Sequence, residues 1–262
     1  MCATCGCDQP GMVKITNVRD VLFPATAHHH HDHSHVHTQT RTKVDLEQDI
    51  LYKNNMVAER NREFFAAKDM IAFNLVSSPG SGKTSLLECT LGDLGKELDF
   101  YVIEGDQATT QDSERIAVYN VPVMQINTGK GCHLDATMVW DSLVELSPEN
   151  RSVVFIENIG NLVCPSMFDL GENKRIVIIS VTEGEDKPLK YPDMFAGSQL
   201  CIINKIDLLP YLKFDVPKLI DNAKRVNPQL EFIELSCSSG EGLDQWYAWL
   251  KRQLKSIEVP VG

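Results

Sequence analysis

A chain of 262 residues with 43% hydrophobic residues and a formal net charge of −11 can bury one sizeable core. Its acidity excludes a general nucleic-acid binder, which would need clustered Lys and Arg. No apolar run approaches the roughly 20 residues of a membrane span, and no basic segment leads into an apolar one at the N-terminus, so a cytoplasmic protein without a membrane span is expected. Its eight cysteines are then expected to be reduced thiols, free to bind metal, rather than a disulfide framework.

Residues 1–43 are rich in Cys, His, Thr and Gly and poor in aliphatic periodicity, which reads as a flexible metal-binding tail. Cys2, Cys5 and Cys7 are spaced closely enough for three thiolates to meet on one ion, with the N-terminal amine as a fourth ligand if it is unblocked. Nitrogen and thiolate in a square plane suit Ni2+, although the spacing serves Zn2+ as well. Seven histidines between His28 and His37 can chelate either ion in many arrangements, for storage or buffering; a solvated polar linker is the competing reading. Residues 44–69 carry Leu46, Ile50, Leu51, Val57, Phe64 and Phe65 at helical spacing among charges and predict one or two lead-in helices.

From Met70 onward, short apolar runs alternate with amphipathic stretches. Predicted strands are Ile71–Val76, Phe100–Glu104, Pro122–Ile126, Ser152–Glu157, Arg175–Val181, Gln199–Ile203 and Glu231–Leu235. Predicted helices are Thr84–Leu94, Gln111–Tyr119, Leu134–Leu146, Val216–Val226 and Leu243–Leu254. Strands rich in Val and Ile with little polar alternation are buried on both faces, so residues 70–262 read as an α/β domain with a mostly parallel sheet flanked by helices. Cys89, Cys201 and Cys237 sit in apolar or loop surroundings and read as small packing residues rather than ligands.

The first strand runs into Ser77-Ser78-Pro79-Gly80-Ser81-Gly82-Lys83-Thr84, followed by Ser85 and a helix. Gly80, Ser81 and Gly82 are small enough for backbone N–H groups to close around phosphate oxygens, and the helix adds its N-terminal dipole. Lys83 would neutralise the β- and γ-phosphates and Thr84 would complete a Mg2+ shell, with Ser85 beside them. The pattern usually opens on Gly, and here Ser77 stands in that place. Glu157 ends one predicted strand and Asp106 follows another, Phe100–Glu104; both are candidate carboxylates for Mg2+ or for the attacking water, so Lys83, Glu157 and Asp106 are the expected catalytic residues. Asn204-Lys205-Ile206-Asp207 also follows a strand. Asp207 would accept from guanine N1–H and the 2-amino group, which adenine cannot offer. Asn204 would brace the loop and the Lys205 stem would lie on the base. Ser236, Cys237 and Ser238 suit the loop whose backbone N–H faces guanine O6.

These segments together resemble the hydrogenase nickel-incorporation GTPases (HypB), P-loop proteins that dimerise around nucleotide. The resemblance is carried by Cys2-Ala3-Thr4-Cys5-Gly6-Cys7, the His tract, Gly80-Ser81-Gly82-Lys83-Thr84, Glu104-Gly105-Asp106, Gly131-Cys132-His133, Glu157-Asn158-Ile159-Gly160-Asn161-Leu162-Val163-Cys164-Pro165 and Asn204-Lys205-Ile206-Asp207. Urease-serving relatives typically have Cys-Pro-His where this chain has adjacent Cys132 and His133, and they lack the Cys-rich opening. The resemblance implies a high-affinity nickel site at Cys2, Cys5 and Cys7. It also implies a second site, at Cys132, His133 and Cys164, formed at the interface of a GTP-dependent homodimer; nickel and zinc both stay open for this site. GTP or GDP, Mg2+, Ni2+ and Zn2+ are the implied ligands. A HypA-like nickel accessory protein and the hydrogenase large subunit are the implied partners. The expected function is GTP-hydrolysing delivery of nickel during [NiFe]-hydrogenase maturation. Nickel storage with an incidental GTPase and urease-type nickel insertion are the alternatives.

Overall fold

The computed structural model describes residues 14–17, 43–107 and 111–257. In chain order its main elements are β1 (Lys14–Asn17), α1 (Lys43–Ala67), β2 (Ile71–Ser77), α2 (Lys83–Leu94), β3 (Phe100–Asp106), α3 (Gln111–Ala117), β4 (Val123–Asn127), α4 (Ala136–Leu146) and β5 (Val153–Glu157). They continue as β6 (Lys174–Ser180), α5 (Lys187–Lys190), α6 (Pro192–Ala196), β7 (Leu200–Asn204), α7 (Val216–Val226), β8 (Glu231–Glu234) and α8 (Leu243–Ile257). Tight 3-10 turns occupy Cys164–Met167 and Ile206–Tyr211.

The strands form one sheet in the order β1-β4-β3-β5-β2-β6-β7-β8. Seven pair in parallel, and β1 alone runs antiparallel, against β4. This is the mostly parallel α/β sheet expected, and all seven positions of β2 are buried. Helices cover both faces. Phe73, Leu86, Leu87, Phe155, Trp246 and Trp249 pack on one side. Phe65, Ile103, Ile126, Val139, Leu143 and Ile156 form a second cluster, and Val177, Ile179, Phe195, Ile203 and Leu219 a third.

α1 is one continuous helix, and polar side chains fasten it as well as apolar ones. Asn54 Nδ2 donates to Asp169 O at 2.8 Å, and Asn61 Nδ2 donates to Ala136 O and Leu170 O at 2.9 Å each. Asn54 Oδ1 accepts from Ala136 N at 2.9 Å, which satisfies a free amide at the start of α4. β1 departs from expectation, because it lies in the stretch read as a tail. Its sequence Lys14-Ile15-Thr16-Asn17 has a single aliphatic residue. Backbone pairing with the edge of β4 makes it a strand, and no side-chain periodicity announces such a partner. α3 stops at Ala117, two residues short of the expected Tyr119, because Asn120 takes a left-handed φ of 58°.

The carboxyl ends of β2, β3, β5 and β7 face the same edge of the sheet. In an open parallel sheet that edge is where ligands bind.

Candidate nucleotide and metal site

β2 feeds directly into the phosphate loop. Gly80 and Gly82 take φ values of 73° and 101°, and a Cβ on Gly82 would strike the Asn204 amide. Only glycine makes that turn without strain. α2 then starts at Lys83, so its first amides and dipole point where phosphates would lie. Ser77, the departure from the usual pattern, is fully buried. Its Oγ donates to Ser78 O at 2.6 Å and accepts from Lys83 Nζ at 2.9 Å, so the hydroxyl holds the ammonium that the motif needs. Ser81 Oγ donates to Glu183 Oε1 at 2.7 Å, and Lys187 Nζ donates to Ser78 Oγ at 3.1 Å. The loop therefore rests on the segment after β6, which the sequence motifs did not single out. Gly80, Gly82, Lys83, Thr84 and Ser85 line a cleft of about 500 Å³ with Glu104, Asp106, Arg115, Glu157, Asn158, Gly160 and Lys205.

Acids crowd one wall of this cleft. Glu157 Oε1 accepts from the Thr84 hydroxyl at 2.7 Å, as a shared Mg2+ shell would require. Glu104 is directly opposite Glu157 in the β3–β5 register. Both are buried, and Oε2 of each has no hydrogen-bond partner among the described residues. Burial pushes the Glu104 carboxyl up to about 9, and the charges of Glu157 and Asp106 add to the rise. Burial also raises the Glu157 carboxyl, although Lys83 and Thr84 pull the other way. Two such acids aimed into a phosphate cleft match the oxygen donors that Mg2+ prefers. Glu104 was missed as a site residue. The available signal was an acid ending one apolar strand just as Glu157 ends another. Asp106 lines the cleft further out, its Oδ1 accepting from Gln107 N at 2.6 Å.

The base-side residues converge from two loops. Asn204 Nδ2 donates to Ser81 O at 2.9 Å, which ties β7 to the phosphate loop. Lys205 takes a left-handed φ of 65°, and its Nζ donates to Gly80 O at 2.6 Å, laying the stem along the cleft. Asp207 Oδ1 accepts from Ser236 Oγ at 2.5 Å, and Ser236 Oγ in turn accepts from the amides of Ser238 and Ser239. Ser236 N is spent on Glu241 O, so of the Ser236 groups it is the hydroxyl, through its bond to Asp207, that bears on the segment expected to read the base. Cys237 is half-buried, with its carbonyl accepting from Cys89 Sγ and its thiol pushed up to about 12 by burial. Such a thiol stays protonated, in keeping with a packing role.

Next to the cleft, the structure gathers Cys132, His133 and Cys164. Their donor atoms all lie within 4.8 Å of one another. Cys132 Sγ is 2.6 Å from Cys164 Sγ and 3.7 Å from His133 Nδ1; a bound ion would part the two sulfurs. His133 stacks on Phe168 at 3.8 Å between centroids, and burial holds its imidazole below the usual range, in the neutral form that ligates metals. Adjacent Cys and His do reach one point within a single chain. Three soft donors leave a fourth position for another ligand. Val163 and Met167 beside Cys164 are exposed. Cys2, Cys5, Cys7 and the His tract lie outside the described residues.

Short connections join the two regions. Asn158, which lines the cleft just after Glu157, accepts through Oδ1 from Leu134 N, directly after His133, at 3.3 Å. Gln107, beside Asp106, donates from Nε2 to Gly131 O at 3.1 Å. Asn161 Nδ2 donates to Cys132 O at 3.4 Å.

Comparison with known proteins follows this layout. The family model "CobW/HypB/UreG, nucleotide-binding domain" matches residues 71–234. The chain is 56% identical over 210 residues to the hydrogenase maturation factor HypB of Escherichia coli (strain K12), covering 80% of this chain and 72% of that protein. It is 37% identical over 211 residues to the hydrogenase/urease maturation factor HypB of Helicobacter pylori, covering 79% and 86%. Among solved structures, HypB from Archaeoglobus fulgidus superposes with a TM-score of 0.73 at 39% identity, covering 78% of this chain and 99% of that one. HypB from Helicobacter pylori in complex with nickel also gives 0.73, at 35% identity, covering 80% and 99%. The phosphate loop, the base-side Asp and the adjoining thiolate–imidazole cluster thus place this chain in the HypB hydrogenase maturation factors of the CobW/HypB/UreG nucleotide-binding family.

Proposed function

We propose that this protein is a GTP-hydrolysing nickel metallochaperone that delivers Ni2+ during [NiFe]-hydrogenase maturation. The observation that carries the reading is the Cys132–His133–Cys164 cluster, tied to the wall of the nucleotide cleft through Asn158–Leu134 and Gln107–Gly131. In this reading Asp207 selects guanine, and Lys83 with the loop amides stabilises charge on the transferred phosphoryl group while water attacks. Thr84, Glu157, Glu104 and Asp106 would hold Mg2+, which supplies further charge neutralisation there. The third phosphate orders Glu157–Gly160 and, through Asn158, Leu134 and the neighbouring His133. A second copy of the chain completes the metal shell, which the exposed Val163 and Met167 beside Cys164 favour. Nickel is the cargo; Zn2+ competes for the same soft donors. A HypA-like donor or acceptor and the hydrogenase large subunit are the partners that fit this role, and the setting is the cytoplasm. No helix among the described residues is long and apolar enough to cross a membrane.

Nickel titration of the full chain tests this reading, with Cys2, Cys5, Cys7 and the seven tract histidines replaced by Ala so that only the cluster beside the cleft reports. Affinity should differ about tenfold between GDP and a non-hydrolysable GTP analogue, and the dimer fraction should change with it. Equal affinities and equal dimer fractions would put nickel storage ahead. The Helicobacter pylori relative carries urease in its name, so apo-urease serves as the competing acceptor in a transfer assay.

A further inference from the structure

β2 is buried at every position, yet its central residue is Asn74. A polar side chain there interrupts an otherwise apolar strand and needs partners. It finds them on both sides. Asn74 Oδ1 accepts from Asn158 Nδ2 at 3.3 Å, and Asn74 Nδ2 donates to Glu172 Oε1 at 3.0 Å. Glu172 Oε1 also accepts from Arg175 Nε at 3.1 Å and from an Arg175 terminal nitrogen at 3.0 Å. The guanidinium reaches onward to two carbonyls, Ser166 O at 3.3 Å and Phe168 O at 3.2 Å. Ser166 belongs to the turn that begins at Cys164, and Phe168 is the ring on which His133 stacks.

The line is therefore continuous. It starts at Asn158 on the wall of the nucleotide cleft, passes beneath the sheet edge through Asn74, Glu172 and Arg175, and ends under both arms of the metal cluster. Asn158 also holds Leu134 N beside His133, so the line touches the cluster again at its start. Stability alone does not call for such an arrangement, because apolar residues of similar volume would serve a strand interior as well. What a fully paired polar line adds is fixed geometry.

We propose that Asn74, Glu172 and Arg175 are positioning residues that hold the Cys132–His133–Cys164 cluster in register with the segment Glu157–Gly160, so that the nickel affinity of the cluster follows the nucleotide state through this buried line. This rests on the function proposed above. When the third phosphate draws Glu157–Gly160 toward the loop, Asn158 moves with it. The rigid line then shifts the Cys164 turn and the Phe168 platform relative to Cys132. None of the three residues needs to touch metal or nucleotide.

The test uses the full chain in the background just described and compares Asn74→Ala, Glu172→Gln and Arg175→Lys with the parent. Nickel affinity is read from the thiolate–nickel absorbance with GDP and with the non-hydrolysable GTP analogue. The parent should show about a tenfold difference between states, and the variants should show less than about twofold while their GDP affinity stays within about twofold of the parent. A residue that merely supports the fold would lower nickel affinity equally in both states and leave the ratio intact, and that result overturns the proposal. Arg175→Lys keeps a cation beside Glu172 but cannot span both carbonyls, so it decides the matter if Asn74→Ala fails to fold. A parent with no difference between states would defeat the delivery reading itself, whereas a parent with one and variants that retain it would defeat only the positioning role.

Discussion

Two buried acidic settings lie a few strands apart, and they are opposites. Glu172 has every need met within the chain: burial pushes its carboxyl up, but Arg175, Asn74 and the Leu170 amide hold it below the usual carboxylate range. Glu104 and Glu157 face each other across two strands with an unpartnered oxygen each and carboxyls held high. The first setting is complete without a ligand. The second leaves a carboxyl oxygen of each acid without a hydrogen-bond partner among the described residues, which suits the Mg2+ role proposed above. In the proposed function a buried carboxylate marks a ligand site only where it lacks a close ion pair within the chain, and burial by itself would have pointed to both.

The largest expected effect sets the two against each other directly. Glu172→Ala leaves the Arg175 guanidinium buried without its partner and should cost about 3–5 kcal/mol of unfolding free energy. Glu104→Gln removes a repelled acid and should leave the urea midpoint of the nucleotide-free protein at pH 8 unchanged or raised. Equal losses in the two variants would erase the distinction.

Next in size is the response to Mg2+. With GDP bound, a hundredfold excess of Mg2+ over its dissociation constant should add about 2.7 kcal/mol of stability to the parent. Chelating the ion should remove that increment. Glu157→Gln should lose most of it and Glu172→Gln should keep it, as read from thermal midpoints with and without chelator. An increment that survives in Glu157→Gln would move the ion elsewhere.

Per unit of pH the smallest change is in the pH dependence, where the two settings carry opposite signs. Glu104 is raised in the folded state, so its contribution is full below its ordinary value of 4.5 and is lost as pH climbs toward about 9. The slope is about 1.4 kcal/mol per pH unit within that window. Glu172 is depressed when folded, so its contribution is present above 4.5 and is lost as pH falls through its lower folded value. Urea midpoints of the nucleotide-free protein across pH 5–9 should therefore decline less steeply in Glu104→Gln than in the parent. Identical slopes would contradict the raised Glu104 carboxyl.

Much of this was legible in the sequence, for identifiable reasons. The phosphate loop, the Asn204–Asp207 segment and the seven parallel strands are local patterns: glycines at a turn, an acid after a strand, apolar runs of strand length. The nearness of Cys164 to Cys132 and His133 came only through the resemblance, because 32 residues separate the two cysteines. Glu104 and Asn74 were not legible as they act here. Their meaning depends on which strands lie side by side, and β5 pairs with β3 and β2 across intervening elements. The hydroxyl that Ser77 lends to Lys83 was hidden too, since a pattern that lists Gly there gives no hint that a side chain could contribute.

One consequence follows from β1. Its first residue, Lys14, pairs with Asn127 at the end of β4, and the chain continues from Asn127 through a short loop to Cys132. Seven peptide steps separate Cys7 from Lys14, and at about 3.5 Å each they reach at most about 25 Å. In the proposed function, an ion carried by the first cysteines would be tethered within that length of the β1–β4 pair.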